Sequence, residues 1–211
     1  MRAFLWCNGE KPDKEIISNL GNISPLFGVD GGGNKAKSFG FDVKEILGDL
    51  DSVVNDDQVT KTTLLENQNL SDLTKAINEL EKRGFSEFDI LGVDGGDTGH
   101  ILGIWGSLAE ISENLVIRLH HQNSTTYRIT TELRNFKIDV DKDRLFSIFA
   151  LTKCQNVCVK GAEWEIFNEE FDLSTKGLHN RGLGNTITIS VEGILVPVSY
   201  THLTLPTILL V

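Results

Sequence analysis

Short apolar runs alternate with amphipathic stretches through the first half of the chain. Strands are predicted at residues 3–7, 25–29, 45–48, 60–64 and 87–93. Helices are predicted at residues 13–20, 71–83 and 99–111. The strands are short runs of apolar or β-branched residues, whereas the helices show the longer apolar period and begin at capping residues. Strands that alternate with helices predict a mostly parallel α/β sheet with helices on both faces.

The pattern changes after residue 113. The second half contains strand-like runs without helices between them, at residues 115–119, 125–131, 134–138, 145–150, 156–160, 186–191 and 194–198. Many short strands in succession are typical of an all-β domain, either a β-sandwich or a barrel. We therefore predict an α/β domain at residues 1–113 and a β domain at residues 114–198. Residues 199–211 are either a non-native tail or a last strand interrupted by Pro206, and the sequence leaves both open.

Composition and charge narrow the classes of function. The 211 residues are 40% hydrophobic, which is ample for a packed core, and the formal net charge is −10. An acidic chain argues against sequence-independent nucleic-acid binding. Only a short apolar run follows the first two residues, so we expect no signal peptide, no membrane-spanning helix and a cytoplasmic location. The three cysteines, Cys7, Cys154 and Cys158, are expected to be buried thiols.

Two aspartates follow the predicted strand at residues 45–48. Asp49 and Asp51 lie in the sequence Gly-Asp-Leu-Asp-Ser. Open α/β sheets bind ligands beyond the carboxyl ends of their strands, and Mg²⁺ prefers carboxylates together with substrate phosphates. The pair therefore indicates a metal site. The alternative is an ordinary Asp/Ser-rich turn that caps the next helix.

A glycine-rich pattern occurs twice. Gly-Val-Asp-Gly-Gly stands at residues 28–32 and again at residues 92–96, each time where an apolar strand ends. Glycines there allow backbone amides to approach an anion closely. The alternative is two ordinary turns from a strand into a helix.

The helix at residues 71–83 begins with polar side chains. With Ser71 as its N-cap, Asp72 lies in the first turn and Lys75 lies one turn later on the same side. This places a carboxylate that suits a metal beside an ammonium that suits a phosphate. A plain intrahelical ion pair is the alternative. Elsewhere, His120 and His121 are adjacent in a strand and should point to opposite faces, so they are not expected to share a metal.

Taken together and in this order, these segments resemble thiamine pyrophosphokinases. The residues that carry the resemblance in the first half are Asp30, Gly31, Gly32, Asn34, Asp49, Asp51, Ser52, Gln68, Asp72, Lys75, Gly95, Gly96 and His100. In the second half, the segment at residues 161–166 resembles the family's Gly-Leu-Lys-Trp-Pro-Leu, and residues 183–185 resemble its Val-Ser-Asn.

The resemblance implies an activity and an architecture. Members of that family transfer a pyrophosphoryl group from ATP to the hydroxyl of thiamine, with Mg²⁺, and give thiamine diphosphate and AMP. They pair an α/β domain with a β-sandwich and act as homodimers, with each site built between the α/β domain of one subunit and the sandwich of the other.

The resemblance also implies residue roles. Asp49, Asp51 and Asp72 would hold the metal, with Gln68 and Lys75 as further catalytic residues. The residues implied to bind ATP are Asp30, Gly31, Gly32, Asn34, Ser52, Gly95, Gly96 and His100. Those implied to bind thiamine are Trp164, Gly184 and Asn185. An aromatic face suits a cationic thiazolium, although Trp164 would be a plain core residue in the alternative interpretation.

The sequence departs from the family pattern at four positions. Asn69 replaces a carboxylate, Asp97 replaces an arginine, Gly99 replaces an aspartate and Gly184 replaces a serine. Loss of a guanidinium near phosphates removes a strong bidentate donor. Two other functions therefore stay open: a diphosphokinase that acts on a pterin alcohol, and a homologue that binds nucleotide or thiamine without catalysis.

Overall fold

The computed structural model describes residues 1–50, 60–133 and 135–200, which form two compact units. The first unit comprises Met1–Gln122 and Thr126–Arg128. The second comprises Asn123–Thr125 and the described residues from Ile129 onward.

The first unit is an α/β fold. Its elements in chain order are β1 (Arg2–Trp6), α1 (Lys14–Leu20), β2 (Leu26–Val29), α2 (Gly32–Ser38), β3 (Glu45–Gly48), β4 (Lys61–Leu64), α3 (Asp72–Lys82), β5 (Glu87–Leu91), α4 (Thr98–Glu110) and β6 (Val116–His120). The strands run in the order β6-β5-β1-β2-β3-β4, and every neighbouring pair is parallel. Strands β2 and β3 are buried along their whole length, as expected for a parallel sheet covered on both faces.

The α/β prediction is confirmed, with one helix missed. Helix α2 has the sequence Gly-Gly-Asn-Lys-Ala-Lys-Ser, which lacks an apolar period. It forms because it can pack closely on the neighbouring strand: a Cβ added to Gly28 of β2 would lie 2.3 Å from the Cα of Gly33. Tertiary packing thus overrides the poor helix propensity of glycine.

Strand β6 belongs to the parallel sheet. The sequence placed the domain boundary at residues 113–114, before this strand. In the structure β6 pairs in parallel with β5, from Glu87 opposite Val116 to Leu91 opposite His120, and the first unit extends to Gln122. A short apolar strand carries no signal of parallel or antiparallel pairing, so its sheet could not be assigned from the sequence.

A carboxylate on β5 joins three strands of this sheet. Asp89 is fully buried and accepts hydrogen bonds from Arg2 of β1 (2.6 Å) and from Arg118 of β6 (3.3 Å). Its other oxygen lies 2.7 Å from Nε2 of His120, also on β6. Burial alone would raise the pKa of Asp89, but the hydrogen bonds from His120 and Arg2 and the nearby charges hold it below its usual value.

A buried arginine closes the end of α4. Arg128, at the end of β7 (Ser124–Arg128), donates to the carbonyl oxygens of Leu108 (2.7 Å), Ile111 (2.7 Å) and Ser112 (3.0 Å). These bonds satisfy carbonyls that a helix end leaves without intrahelical partners. Burial lowers the pKa of Arg128 to about 10.

The second unit is a β-sandwich. Its strands are β8 (Phe136–Asp139), β9 (Leu145–Ala150), β10 (Cys154–Lys160), β11 (Ile166–Phe171), β12 (Asn180–Arg181), β13 (Thr186–Glu192) and β14 (Leu195–Tyr200). One antiparallel layer has the order β12-β9-β14 and the other has the order β11-β10-β13-β8. The residues of its core come from both layers, including Phe146 and Ile148 of β9 and Val157 and Val159 of β10.

Strands β11 and β12 were not predicted. β11 lies at the edge of its sheet and reads Ile-Phe-Asn-Glu-Glu-Phe, with Phe167, Asn168 and Glu170 exposed, so apolar and polar residues do not alternate along it. β14 runs two residues past the predicted domain end, because Ser199 pairs with Phe146 of β9. Residues 201–211, and with them Pro206, lie outside the described residues.

The cysteines are free thiols. Cys7 and Cys154 are buried as predicted, whereas Cys158 is half-buried. Burial, followed by the nearby Asp72 carboxylate, raises the pKa of Cys7 to about 12. Within the part of the chain that the structure describes, no helix is both long and apolar enough to cross a membrane.

Candidate active site at the carboxyl ends of the parallel strands

Asp49 follows directly after β3, at the carboxyl edge of the sheet. The carbonyl oxygen of Gly48 accepts a hydrogen bond from Leu65 N–H (2.8 Å), which ties this end of β3 to the residue after β4. Leu50 has a φ of +64°, so the chain turns sharply after Asp49. Asp51 and Ser52, also predicted site residues, lie outside the described residues.

The first turn of α3 lies beside Asp49. Ser71 caps the helix, its side chain accepting from Thr74 N–H (3.1 Å) as predicted. The carboxylate of Asp72 accepts from Asp49 N–H (3.3 Å) and pairs with Lys75 Nζ (2.6 Å). The predicted neighbourhood of Asp72 and Lys75 is therefore confirmed.

Burial separates this ion pair from an ordinary surface pair. The side chain of Lys75 is only 5% exposed, and that of Asp72 is 31% exposed. An ammonium held this deep loses much of its hydration and needs anionic partners. Asp72 supplies one such partner and leaves the lysine beside the end of β3, where a phosphate could supply another.

Asp30, at the end of β2, supplies a third carboxylate. Its N–H donates to Leu47 O (2.8 Å), and its Cβ lies 3.1 Å from the position of a Cβ added to Gly48. Its Oδ1 is buried and has no hydrogen-bond partner within the described residues. A buried carboxylate oxygen without a partner is costly, so this atom is suited to a cation bound at the strand ends.

The magnesium site stays a prediction. The bond from the backbone N–H of Asp49 to the Asp72 carboxylate makes two of the predicted ligand residues neighbours, and carboxylate oxygens are ligands that Mg²⁺ prefers. Among the described residues, however, no group of three or more His, Cys, Asp or Glu side chains has a geometry that could hold a metal. The third predicted ligand is Asp51, so the full ligand set extends outside the described residues.

The other residues singled out in the sequence of this unit lie near this edge or in turns. Gly31 precedes α2, and Gly32 and Asn34 are in its first turn. Gln68 lies in an exposed turn between β4 and α3. Asn69 N–H donates to the side chain of Asn67 (3.0 Å), so the position that lost a carboxylate lies in a local turn.

A cavity of about 380 Å³ lies beside Lys75. It is lined by Lys75, Asn78, Glu79 and Lys82 of α3 and by residues between Leu64 and Leu70. The lining mixes cationic, anionic and amide groups. The cavity adjoins the predicted catalytic residue Lys75 on the side of β4, which is the edge strand of the sheet.

The two Gly-Val-Asp-Gly-Gly segments have different backbones. In the first, Asp30 has a φ of +47° and α2 begins two residues later. In the second, Gly95 and Gly96 have φ values of +79° and +81°, and α4 begins only at Thr98. The second segment is therefore an open turn rather than a direct entry into a helix.

Asp97, which replaces the arginine of the family pattern, is the N-cap of α4. Its carboxylate accepts from the backbone N–H of His100 (2.9 Å), and the side chain of His100 is exposed. A carboxylate at a helix N-terminus is favoured by the helix dipole. The substitution thus has a structural role in this chain.

Sequence reasoning missed the group of side chains around Asp94. Asp94 bonds to His121 (2.6 Å) and to Gln122 N–H (2.5 Å), and Gln122 in turn bonds to Glu10. His120 and His121 do have different partners, Asp89 and Asp94, as their opposite faces predicted. The usable signal for this group was Asp94 itself, in the middle of the repeated glycine pattern.

The predicted thiamine-binding residues belong to the sandwich. Trp164 is 53% exposed, so it is not a core residue. The backbone N–H of Trp164 donates to Asn180 Oδ1 (3.2 Å), and the side-chain amide of Asn180 donates to the backbone oxygen of Trp164 (2.7 Å). The Arg181 guanidinium lies 6.0 Å from the centre of the Trp164 ring and pairs with Glu163 (3.3 Å).

The segment with Gly184 and Asn185 follows closely. Both residues are exposed, and Gly184 has a φ of +81°. A Cβ added to Gly161 would lie 2.8 Å from Thr186 O, so the chain before Trp164 runs against the chain after Asn185. The two sandwich segments that carry the resemblance are therefore neighbours.

These features define a class of protein: an α/β unit with acidic groups at its strand ends, followed by a β-sandwich that presents an exposed tryptophan. Thiamine pyrophosphokinases have this fold. The crystal structure of thiamine pyrophosphokinase from Bacillus subtilis matches with a TM-score of 0.81 at 20% sequence identity, covering 96% of this chain and 100% of that chain.

Two eukaryotic structures are similar to this chain over most of its length. Thiamin pyrophosphokinase from Candida albicans matches with a TM-score of 0.74 and that from yeast with 0.72, both at 15% identity and over 94% of this chain. The matches cover 88% and 86% of those chains. No protein-family profile and no curated protein sequence matches this chain. The likeness thus establishes the fold, and the fold class implied by the sequence resemblance is confirmed.

Proposed function

We propose that this protein transfers a pyrophosphoryl group from ATP to the hydroxyl of thiamine, giving thiamine diphosphate and AMP. The observation that carries the proposal is the contact of Asp49, Asp72 and the buried Lys75 at the carboxyl edge of a parallel sheet. The chain has the fold of thiamine pyrophosphokinases, which makes this the best-supported chemistry for that edge.

The reaction depends on positioning and on neutralising charge. The thiamine hydroxyl oxygen forms a bond to the β-phosphorus of ATP, the bond from that phosphorus to the oxygen bridging to the α-phosphate breaks, and AMP leaves while the hydroxyl proton is released. Mg²⁺, when bound, neutralises charge on the phosphate oxygens. Asp49 and Asp72, with Asp51, would hold the metal, and Lys75 would contact a phosphate.

The acceptor half of the proposal belongs to the sandwich. Trp164 offers an exposed ring face, and its backbone is fixed by two hydrogen bonds with Asn180. Glu163 neutralises Arg181 near the ring, so that a cationic thiazolium does not meet an uncompensated positive charge. Asn185 would supply an amide to the same acceptor.

An assay of products separates the candidate functions. The protein is incubated with ATP, Mg²⁺ and thiamine or, in parallel, a hydroxymethyl pterin, and AMP and the diphosphorylated product are measured. We expect AMP and thiamine diphosphate in equal amounts. If AMP forms only in the reaction with the pterin, the acceptor is the pterin and not thiamine. If ATP binds but no AMP forms in either reaction, the protein is a non-catalytic binding protein.

Asp49 gives the sharpest test of the metal assignment. Because a neutral amide cannot balance the charge of the metal, we expect Asp49→Asn to lower turnover by about 100-fold or more with little change in folding. Asp42→Asn is the matched control, since Asp42 is an exposed aspartate of the same unit. Turnover of Asp49→Asn near that of the control, at limiting Mg²⁺, would contradict the assignment.

A further inference from the structure

The turn after β5 is held by one aspartate that contacts two other segments, one through its side chain and one through its backbone. Asp94 Oδ1 lies 2.6 Å from His121 Nδ1, and Asp94 Oδ2 accepts from Gln122 N–H (2.5 Å). The backbone oxygen of Asp94 accepts from Glu10 N–H (2.6 Å). Asp94 thus joins the residues after β5 to those after β1 and β6.

The partners of Asp94 are themselves fixed. His121 Nε2 lies 2.9 Å from Thr126 Oγ1, and the His121 ring stacks on Trp105 of α4 with a centroid distance of 6.2 Å. The Gln122 side-chain amide donates to the Glu10 carboxylate. The aspartate, histidine and hydroxyl resemble a nucleophilic triad, but Thr126 is only 1% exposed, so its hydroxyl cannot reach a substrate. The arrangement orients groups rather than attacking them.

The carboxylate at the centre is kept ionised. Burial would raise the pKa of Asp94, but the hydrogen bond and charge of His121 and the bond from Gln122 N–H lower it below its usual value. Asp94 therefore accepts bonds at both oxygens as a carboxylate. An ionised acceptor makes shorter and stronger hydrogen bonds than a neutral one.

The segment that Asp94 anchors is the glycine turn of Gly95 and Gly96. β1 and β5 are neighbours in the sheet although they are far apart in the chain, so their ends form the topological switch point where open α/β sheets bind ligands. A Cβ added to Gly95 would lie 2.9 Å from Glu10 Cγ, so the turn is packed tightly against the loop after β1. A small shift of Asp94 would move this turn.

The acidic residues around the turn do not exclude an anion. Glu10 accepts from Gln122, Asp94 accepts from His121 and Gln122, and Asp97 accepts from His100 N–H. Each carboxylate is thus directed at a donor of the protein itself.

We propose that Asp94 and His121 are positioning residues that hold the Gly95–Gly96 turn in the conformation that binds the phosphates of the nucleotide. This inference rests on the proposed function, because it takes ATP as the ligand of the strand ends. Loss of the pair weakens nucleotide binding and leaves acceptor binding unchanged.

His121→Leu removes both ring nitrogens, and His121→Asn retains a group that can donate to Asp94. We expect His121→Leu to raise the Kd of Mg-ATP, measured by calorimetry without acceptor, on the order of 10- to 100-fold, the range seen when residues that orient metal ligands are removed. His121→Asn should recover part of that loss. The KM for thiamine should stay at the wild-type value. If His121→Leu does not fold, Asp94→Asn breaks the same pair from the other side and should also raise the Kd of Mg-ATP.

His120→Leu is the matched control. It breaks the comparable pair of Asp89 with His120, the last residue of β6 (2.7 Å), and should lower the Tm without changing the Kd of Mg-ATP. Equal changes of Kd in the His120 and His121 variants, or a lower Tm of His121→Leu with an unchanged Kd, would overturn the proposal. Wild-type protein that binds Mg-ATP but forms no AMP would overturn only the proposed function, whereas wild-type protein that binds no Mg-ATP would overturn both.

Discussion

Four aspartates at or near the strands of the α/β unit are stabilised in different ways. Asp89 is surrounded by Arg2, Arg118 and His120, and Asp94 is paired with His121. Asp72 shares its charge with Lys75, but Asp30 keeps a buried oxygen without a partner within the described residues. The first two are therefore suited to holding structure in place, whereas the last two still have capacity for a ligand.

The contacts of the aspartates that can bind a ligand were easier to predict from the sequence than the contacts of the aspartates that hold structure in place. Asp72 and Lys75 are three residues apart on one helix, so their contact follows from local geometry. Asp94 and His121 are 27 residues apart and meet only through the order of strands in the sheet. Contacts of that kind depend on topology, which a single sequence does not specify.

Trp164 tests the acceptor half of the site at the level of one side chain. If its face packs on thiamine, Trp164→Ala should raise the KM for thiamine through a cation–π loss of roughly 0.5–2 kcal/mol together with lost burial, while the KM for ATP stays constant. Steady-state kinetics with each substrate varied in turn measure both values.

Phe167→Ala is the matched control for this variant. Phe167 is another exposed aromatic residue of the sandwich, 61% exposed. The Phe167→Ala substitution should leave the KM for thiamine and the KM for ATP unchanged. A Trp164→Ala enzyme whose two KM values rise together would indicate a general structural role instead.

Elements with a clear period were predicted well, and elements fixed by packing were not. α3 was placed within one residue at each end, because Ser71 caps it and its buried residues recur at helical spacing. α2 and β11 were missed, since one consists largely of glycine and lysine and the other is an edge strand in which apolar and polar residues do not alternate. In both cases the neighbouring element, rather than the local sequence, determines the conformation.

The three strands joined by Asp89 give a test of stability and its pH dependence. Asp89→Asn leaves Arg2 and Arg118 without their shared carboxylate. Because these two side chains are 44% and 29% exposed and can be hydrated, we expect a loss of roughly 1–3 kcal/mol in the free energy of unfolding at pH 7. Because the pKa of Asp89 is lowered in the folded protein, its contribution is complete above the unfolded value of about 4 and is lost as the pH falls below it. Urea unfolding of both proteins between pH 7 and pH 3 should show the difference shrinking in the acid range.

Asp141→Asn is the control for this series. Asp141 pairs with Arg144 at the surface, with its side chain 76% exposed, and surface pairs contribute little. Its effect should be small at every pH. A difference between wild type and Asp89→Asn that stays constant down to pH 3 would contradict the assigned role of the Asp89 carboxylate.

For the whole molecule, the change in pattern near residue 113 was enough to predict two kinds of architecture. It could not place β6, whose parallel partner β5 is known only from the sheet. The predicted residues for nucleotide and metal belong to the α/β unit, and those for thiamine belong to the sandwich. The sequence resemblance implies a homodimer in which each site combines the α/β unit of one chain with the sandwich of the other, as a two-fold axis permits.

Subunit mixing tests this shared site. Asp49→Asn protein and Trp164→Ala protein are mixed in equal amounts under conditions that exchange subunits. Activity is measured at a thiamine concentration below the wild-type KM, where the raised KM of Trp164→Ala also gives low activity. In a mixed dimer one site carries both substitutions and the other carries neither, so random exchange should restore about a quarter of the wild-type activity. Asp49→Asn mixed with Asp72→Asn is the control, because both substitutions are in the α/β unit and no site escapes them. Exchange verified by mass spectrometry without recovery in the first mixture would show that each site is built within one chain.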